Sequence, residues 1–426
     1  MEGYILQEMR IVKAFQKAIA SGLVFLKRQQ HDWKVTMGRA CLERFTYQMV
    51  FPYISIYIIA LGATGTQLGI VNSIGMGVAG LLSLLIGGVI DNIGVKKIYL
   101  LGISLLVISY LTYALAWDWA VIIIAMVAYW VGFNLSGHSC SVVCGNSLAN
   151  EDRATGMSFC ETLAAGLLGI IGPILGAFLV TKFGGVNVDG IRPLFFISLA
   201  GAVVSFLLIY TQLSNRKWGC QSEGAYNLIT GLSQIFKHGR ALKRMLVITS
   251  LTFLPMGMVL PFSQVFAHEV KGADQYILGA MVAGFALSPL LTGIPLGRLA
   301  DRIGRKKVLY LAAPLFWISN LLLVWAPSHT FLVVAGVLQG FIFVNMVLTG
   351  AMAFELVPAE HMGRWVGCMR FFRMLLAAGA AFLAGFIWDR FGPHYIFLLV
   401  IGLDVLVRIP LLISMPETLN LHRQLE

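Results

Sequence analysis

Long apolar runs follow one another along this chain, and each could cross a lipid bilayer as a helix. The hydrocarbon core of a bilayer is spanned by roughly 20 apolar residues in α-helical conformation. Such runs occur near 43–62, 66–89, 98–117, 119–147, 156–181, 192–212, 244–267, 275–297, 307–326, 331–356, 364–388 and 393–415. They predict an all-α membrane protein with twelve transmembrane helices.

The balance of residue types supports a lipid environment. Hydrophobic residues make up 58% of the chain and charged residues only 12%, with a mean hydropathy of +0.81. The net charge of +11 comes from cations in short segments between the apolar runs, which is typical of a topology signal. We therefore expect the lipid bilayer, and not nucleic acid, as the partner of this basic chain. No nucleotide loop, metal-ligand motif or nucleophile motif is found outside the runs, so we expect neither an enzyme nor a metal or cofactor.

One long polar interval divides the twelve runs into six and six. It lies between the sixth and seventh runs and predicts a central loop between two helical bundles. The predicted parts are an N-terminal segment (1–42), the first bundle (43–212), the central loop (213–243), the second bundle (244–415) and a tail (416–426). The N-terminal segment is expected to form either an amphipathic helix on the inner membrane surface or a loosely ordered tail.

The distribution of lysine and arginine predicts the orientation in the membrane. With the N-terminus inside, few of the 31 cations fall on the outer side: Lys182, Arg192, Lys271 and Arg390. Cytoplasmic segments of membrane proteins are enriched in these residues. We therefore expect a multi-pass protein of the cytoplasmic membrane with both termini in the cytoplasm.

The two halves repeat each other. The stretch "GRLADRIGRKKVLY" at 297–310 has a weaker copy, "GGVIDNIGVKK", at 87–97, and "GAFLVTKFG" at 176–184 recurs as "AGFIWDRFG" at 384–392. One six-helix unit is thus used twice. Duplicated halves characterise secondary transporters, whose substrate path runs between the halves near the middle of the bilayer.

The repeated stretch follows the second apolar run of each half, with the pattern Gly-x-x-x-Asp-Arg-x-Gly-Arg-Lys in the second copy. It resembles the signature of the major facilitator superfamily, and the resemblance extends over nearly the whole chain. It implies two pseudo-symmetric six-helix bundles that rock about a central site. The implied gating residues are Gly87, Asp91, Gly94, Lys96, Lys97, Gly297, Asp301, Arg302, Gly304, Arg305 and Lys306.

The family picture also implies how this gate closes. Asp91 is expected to face the start of span 11, and Asp301 the start of span 5, where each carboxylate would stabilise a helix N-terminus and hold the cytoplasmic side shut. The first copy departs from the pattern, with Asn92 and Val95 where the second has arginine, so fewer ionic contacts are expected there.

Ionisable residues inside the apolar runs are the candidates for ion coupling, because a charge at the bilayer centre is costly. They are Glu161, His138 and Asp404. A histidine or a buried carboxylate could couple proton release to transport. A packing role for His138, and a self-neutralised pair of Asp404 with Arg408, are the structural alternatives.

By the same resemblance, spans 1, 4, 7 and 10 line the cavity and spans 5 and 11 flank it. The candidate substrate-binding residues are Tyr47, Gln48, Tyr53, Tyr57, Asn134, His138, Phe253, Met256, Asn345, Arg370 and Arg373. Pro52 is expected to kink span 1. Gly172, Pro173 and Gly176 are expected to permit close helix contact and a kink in span 5, and they resemble the core of a motif that drug and proton antiporters place in this span. Leu168 stands where that motif has glycine, and span 4 lacks the antiporters' arginine.

Three functions remain open from the sequence. The first is proton-coupled efflux of a small lipophilic or cationic, drug-like molecule, because methionine and aromatic side chains accommodate ligands of variable shape. The second is import or exchange of organic anions at Arg370 and Arg373. The third is a membrane sensor or adaptor without transport activity. For the transporters we expect a monomer that uses a proton or other ion gradient and no cofactor.

Overall fold

A computed structural model describes residues 25, 27–148, 156, 164–216, 240–357 and 362–418 of the chain. Within these, only the backbone is described for 84–92, 164–165, 240 and 362–364. Most of the predicted N-terminal surface helix, most of the central loop and Glu161 therefore lie outside the described residues.

The first rod, α1, is a broken helix. It begins at His31–Val50, passes through a 3-10 turn at Phe51–Tyr53 and continues as Ile54–Ala60. Proline has no backbone N–H to donate, so the turn at Pro52 is the kink that the sequence predicts. The helix starts well before the predicted boundary at residue 43, and Trp33 in its first turn is fully buried.

Eleven further helical rods follow in the described part of the chain, and no strand is found there. They are α2 (Gly65–Ile93), α3 (Val95–Leu115), α4 (Val121–Ser147), α5 (Ala164–Lys182), α6 (Val188–Gln212), α7 (Ala241–Val270), α8 (Gln275–Ile303), α9 (Arg305–Trp325), α10 (His329–Glu355), α11 (Met362–Arg390) and α12 (His394–Ile413). Three rods contain local irregularities. The α7 rod ends in a π-turn at Phe266–Val270, and α12 contains a π-turn at Asp404–Arg408. In α10 the regular helical hydrogen bonding is interrupted at Gly340, between His329–Gln339 and Phe341–Glu355.

The all-α membrane architecture is confirmed. Ten helices among the described residues are long and apolar enough to cross a membrane, and Gly166–Lys182 is a shorter apolar helix. The first piece of α1, His31–Val50, is long enough but too polar to qualify, and the second, Ile54–Ala60, is too short, so the number of twelve crossings stays a prediction. Many large apolar side chains of these helices point outwards, as expected where lipid is the solvent.

The rods form two six-helix halves, α1–α6 and α7–α12, which meet chiefly along α2 with α11 and along α5 with α8. These two pairs are related by the internal repeat, because α8 is the second helix and α11 the fifth helix of the second half. We call the face with the loops 61–64, 116–120, 183–187, 271–274, 326–328 and 391–393 the outer face and the opposite face the inner face. The names follow the predicted orientation, which stays a prediction.

Small residues allow the halves to approach closely. A Cβ atom at Gly69 of α2 would collide with the carbonyl oxygen of Ala381 and the backbone of Gly385 in α11. On the other pair of helices, a Cβ at Gly279 of α8 would press on the carbonyl oxygen of Pro173 in α5. Contacts between small residues of this kind are the usual basis of tight helix packing in membranes.

Candidate functional site

An aromatic chamber lies between the halves, below the outer face. Its volume is about 80 Å³, and its walls are mostly aromatic and apolar. The first half contributes Tyr47, Phe51, Ile54, Ser55, Asn72, Met76, Tyr110, Tyr113, Met126, Tyr129, Trp130 and Phe195, and the second half contributes Met256, Leu260, Pro261 and Gln264. A chamber with walls from both halves is in the position where a transporter of this architecture binds its substrate.

A second cavity, which we call the arginine chamber, lies on the inner side of the first. It has a volume of about 230 Å³. The lining residues are Arg39, Ala40, Glu43, Arg44, Tyr47, Tyr129, Phe133, Asn134, Gly137, Cys140, Ser141 and Arg370. Tyr47 and Tyr129 line both chambers and stack on each other with ring centroids 5.2 Å apart. This tyrosine pair forms the boundary between an apolar and a charged compartment.

Cations outnumber anions in the arginine chamber. Arg39 forms an ion pair with Glu43 one turn further along α1, and its guanidinium also lies over the Tyr99 ring, 5.1 Å from the centroid. Within the part of the chain that the structure describes, no carboxylate forms an ion pair with Arg44 or Arg370. Among the residues that the structure describes, the single carboxylate lining the chamber therefore leaves two guanidinium groups without an anionic partner.

Arg370 connects the two halves. Its Nη1 contacts Nε2 of His138, so a side chain of α11 reaches a side chain of α4. A guanidinium can only donate, so the imidazole nitrogen accepts and carries no proton in this arrangement. Arg373 lies one turn further along α11, and its Nε and Nη2 atoms are buried without a hydrogen-bond partner among the described residues.

Several predicted binding residues lie at this site. Tyr47 and Met256 line the aromatic chamber, whereas Asn134 and Arg370 line the arginine chamber. The amide nitrogen of Asn134 donates to the carbonyl of Trp130 at 2.9 Å, which leaves its carbonyl oxygen free to act as an acceptor. The sequence did not single out Arg39, Glu43 and Arg44, because their charges interrupt the hydropathy signal at the start of α1.

Tyr53 and Tyr57 line neither chamber. The Tyr53 hydroxyl donates to the carbonyl of Gln275 at 3.0 Å, across the halves near the outer face. The Tyr57 hydroxyl donates to the carbonyl of Tyr113 at 3.0 Å within the first half. Both side chains are fully buried and contribute to packing at the outer end of the protein. Their predicted role in binding is not supported by these positions.

The remaining polar and aromatic candidates for substrate binding pack between helices and line neither chamber. The side chain of Gln48 lies against Gly169 and Gly172 of α5, and its Oε1 is buried without a partner in the described structure. The Oδ1 of Asn345 is likewise buried and unpaired there. Phe253 packs beside the cluster that contains Met76 and Met374, at the contact between the halves.

The glycines of span 5 allow α5 to pack closely against α1. A Cβ at Gly176 would meet the carbonyl oxygen of Met49, and a Cβ at Gly172 would meet the Gln48 side chain and the adjacent backbone. Pro173 lies within α5, which continues as a helix on both sides of it. The motif thus positions α5 between α1 of its own half and α8 of the other half.

Asp404 is fully engaged in a structural pair. Its carboxylate forms an ion pair with Arg408, including a bond to Nη2 of 2.9 Å, and accepts a hydrogen bond from the Trp317 indole at 2.6 Å. Neither Asp404 nor Arg408 lines a chamber. This arrangement agrees with the structural alternative given above and does not place Asp404 on a substrate path.

The gating motif makes its described contacts within each half. Asp301 is 68% exposed and lies 3.8 Å from Arg305, whose guanidinium forms a closer ion pair with Glu355 at 2.7 Å. Arg302 and Lys97 are exposed, and Gly297 has open space around it. The expected partner of Asp301 at the start of span 5, and the side chain of Asp91, lie outside what the structure describes; Gly87 is described only by its place in the backbone of α2. The inner latch between the halves therefore stays a prediction.

Each copy of the motif instead contacts the residues that directly follow the last helix of its own half. Lys96 donates to the carbonyl of Leu213 at 2.5 Å, and Lys306 donates to the carbonyl of Met415 at 2.5 Å. Glu417 accepts the backbone N–H groups of Arg305 and Lys306 at 3.0 and 3.1 Å. A carboxylate at this position caps the first turn of α9.

Tight turns precede these lysines. Gly94 and Gly304 each form the connection to the next helix, with φ angles of 95° and 107°. A residue with a Cβ would be strained in this left-handed region, so glycine is the natural residue at both positions.

A contact between the halves at the outer face was not expected from the sequence. Asp389, at the end of α11, accepts the backbone N–H groups of Gly65 at 3.0 Å and Thr66 at 2.7 Å. The repeat aligns Asp389 with Thr181, whose hydroxyl accepts a single hydrogen bond from the Gln275 side chain at 2.9 Å. The only sequence signal was a lone carboxylate near the outer end of an apolar run.

Comparison with known proteins agrees with this architecture. The family model described as "Major Facilitator Superfamily" matches residues 40–284 and 245–420. The chain is 24% identical over 296 residues to "Multidrug resistance protein MdtG" of Dickeya zeae (strain Ech586), which covers 65% of this chain and 69% of the relative. A similar protein of the same name from Salmonella choleraesuis (strain SC-B67) is 25% identical over 297 residues, or 66% of this chain and 70% of the relative.

Solved structures show the same fold. A mutant of the nucleoside transporter NupG superimposes with a TM-score of 0.75 at 16% identity, over 90% of this chain and 99% of the other. A D-xylose-proton symporter gives a TM-score of 0.70 at 16% identity, over 90% and 98% of the two chains. The chain is therefore a membrane transport protein and not an enzyme, and it belongs to the major facilitator superfamily.

Proposed function

We propose that this protein exports small organic molecules with an apolar or aromatic body, by alternating access. The observation that carries the proposal is the aromatic chamber, whose walls come from both halves. Trp130 and Tyr129 of α4 face Met256 and Leu260 of α7 across it. Aromatic faces and pliable methionine side chains bind apolar ligands without demanding one shape.

The contacts between the halves support alternating access. The contact between α11 and α2 begins at Asp389 on the outer face and runs past the depth of the chamber to Met374, against which a Cβ at Gly80 would press. A substrate in the aromatic chamber is thus shielded from the outer face in this conformation. Release to that side requires the halves to separate along α2 and α11.

The direction of transport is inferred from the relatives. Two of them carry the name "Multidrug resistance protein MdtG", and resistance conferred by a transporter means removal of the compound. Export of drug-like molecules is therefore the function that we carry over to this chain.

Proton coupling through His138 forms part of the proposal. Nε2 of His138 accepts the contact from Arg370 only while it carries no proton. A protonated imidazole would repel the guanidinium, so protonation and this bridge between the halves exclude each other. Histidine is the side chain that most readily changes charge near neutral pH.

Transport into vesicles tests the role of the aromatic chamber. A lipophilic fluorescent dye is offered to inside-out vesicles that contain the protein, and its accumulation is followed after a proton gradient is imposed. We expect Met256→Trp to abolish accumulation, because the larger indole would occupy the space between the chamber walls in which the dye is proposed to bind. Val247→Trp is the matched control, since Val247 lies on the same helix and is 46% exposed on the outside of the bundle.

The two variants separate the possible results. Loss of accumulation in Met256→Trp together with normal accumulation in Val247→Trp supports the chamber as the binding site. Equal accumulation in both variants, with both proteins present in the vesicles in equal amounts, would exclude the aromatic chamber from the substrate path.

A further inference from the structure

We infer that the arginine chamber binds an oxyanion group of the substrate, so that the transported molecules are amphipathic organic anions. The inference rests on the proposed function and specifies its substrate class. The group would be a carboxylate, sulfonate or phosphonate, held by Arg44 of the first half and Arg370 of the second. The apolar body of the same molecule would occupy the aromatic chamber.

The first step of the argument is the imbalance of charge. The chamber is lined by three arginines, Arg39, Arg44 and Arg370, and by one carboxylate, Glu43, which is paired with Arg39. In the described structure, Arg44 and Arg370 have no carboxylate partner. A cationic substrate would meet two unbalanced positive charges at this position, whereas an anionic substrate would neutralise one or both.

The second step is the cost of leaving these charges unbalanced. Charged side chains at membrane depth are expensive and are usually paired with an opposite charge or found in a water-filled cavity. Arg370 is bonded to a neutral imidazole, which is a weaker partner for a guanidinium than an oxyanion. An oxyanion ligand can therefore replace His138 as the partner of Arg370 with a gain in electrostatic energy.

The third step is the position of the arginines relative to the halves. Arg44 belongs to α1 and Arg370 to α11, and both line the same chamber. An oxyanion between them would bridge the two halves and draw them together, which is what a transported ligand must do to be enclosed. Arg373 lies on the next turn of α11 with two buried nitrogen atoms that have no described partner, but it lines neither chamber.

The fourth step is the connection of the chambers. Tyr47 and Tyr129 line both, so the space for an anionic group adjoins the space for an apolar body. Their stacked rings are also well suited to contact an aromatic ligand at the boundary. The two compartments together thus match one amphipathic molecule in a defined orientation, with its anionic end toward the inner face.

Three probes with one aromatic body test the inference: naphthalene-2-carboxylate, naphthalene-2-carboxamide and (2-naphthyl)methylammonium. Their dissociation constants are measured by equilibrium dialysis against the purified full-length protein, with protein-free micelles as the blank. We expect the carboxylate to bind about tenfold or more tightly than the carboxamide, and the ammonium probe to bind least tightly. Arg370→Gln should reduce carboxylate affinity to about that of the carboxamide and leave carboxamide affinity within roughly twofold of wild type.

Two further variants keep the test informative if Arg370→Gln does not fold. Arg44→Gln should also reduce carboxylate affinity, while Glu43→Gln should raise it, because the change frees Arg39 from its ion pair. Lys182→Gln is the control, since Lys182 is an exposed cation at the outer face and should leave all three affinities unchanged.

The outcomes distinguish this inference from the proposed function. Equal or tighter binding of the carboxamide or the ammonium probe would overturn the anion preference, while binding in the aromatic chamber would still stand. Carboxylate binding that is unaffected by Arg370→Gln, Arg44→Gln and Glu43→Gln would also overturn it. If none of the three probes binds, both the inference and the proposed aromatic site are contradicted.

Discussion

Asp389 caps the helix that begins at Gly65, although the two residues belong to different halves of the protein. The carboxylate accepts the N–H groups of Gly65 and Thr66, two donors for which α2 itself has no backbone carbonyl. A negative charge at a helix N-terminus is also favoured by the helix dipole. The outer closure is thus held by the type of interaction that the family picture predicts for the inner gate.

Weakening this cap should favour opening at the outer face. We expect Asp389→Asn to cost the closed form ~1 kcal/mol, or roughly a fivefold change in the population ratio. Pulsed EPR between spin labels at Ala60 and Ser328, both exposed near the outer face, measures the separation of the halves. Asp118→Asn is the control, because Asp118 accepts its hydrogen bond from Ala120 within one loop. An unchanged distance distribution in Asp389→Asn would contradict a latch at this position.

Two glycines on the same face of α2 should respond differently to a methyl group. Gly69→Ala would push α2 away from the backbone of α11, at a cost of about 1–3 kcal/mol to the closed outer contact. Gly77→Ala would place its Cβ 3.8 Å from that of Ala378, which is an ordinary contact. The same EPR labels should show outer opening only for Gly69→Ala. Identical behaviour of the two variants would argue against close backbone approach as the basis of the seal.

Removal of the Glu417 carboxylate should loosen the start of α9. In Glu417→Ala the N–H groups of Arg305 and Lys306 lose their acceptor. We therefore expect the free energy of local opening of this turn to fall by roughly 1 kcal/mol. Hydrogen exchange by mass spectrometry should show faster exchange in the peptide that contains these two residues. Glu269→Ala, at an exposed carboxylate near the outer end of α7, should leave that peptide unchanged.

Asp404 should affect stability and not ion coupling. In Asp404→Asn the buried guanidinium of Arg408 loses its counter-charge, which typically costs about 3–5 kcal/mol. Thermal unfolding in detergent should show a large loss of stability, and the additional change Arg408→Met should restore most of it. The pH dependence of transport should be the same as in the wild type. A shifted pH profile in the stable double variant would instead identify Asp404 as a coupling group.

His138 should determine the response to a proton gradient. In His138→Gln the amide oxygen can still accept from Arg370, but the side chain cannot take up a proton near neutral pH. We expect exchange of substrate without a gradient to continue and accumulation driven by the gradient to be lost. His329→Gln is the control, because His329 contacts the carbonyl of Lys271 at the outer face. Full gradient-driven accumulation in His138→Gln would transfer the coupling role to another group.

Much of the architecture could be predicted from the sequence, because it depends on hydropathy and on the repeat. The rods of the structure follow the predicted apolar runs, Pro52 kinks α1, and the two basic motifs lie at the α2–α3 and α8–α9 turns. The start of α1 was missed because its first turns are polar. Asp32 is nevertheless buried there, where its carboxylate accepts from the backbone and hydroxyl of Ser214.

The site was predicted less completely, for two physical reasons. Residue type and spacing do not tell which side of a kinked helix faces the cavity, so Tyr53 and Tyr57 were expected there although they pack near the outer face. The partners of Asp389 and Glu417 are backbone N–H groups distant in sequence, and such donors are present at every helix start. No pattern of side chains could identify these pairs.

The outer closure is unequal on its two sides. Thr181 and Tyr53 hold the start of α8 by two neutral hydrogen bonds to Gln275, whereas Asp389 holds the start of α2 by two bonds to a charged group. We therefore expect the α5–α8 edge to part first and the α2–α11 edge to act as a hinge. A molecule that leaves toward the outer leaflet would then pass through a lateral gap between α5 and α8, and not through a symmetric vestibule.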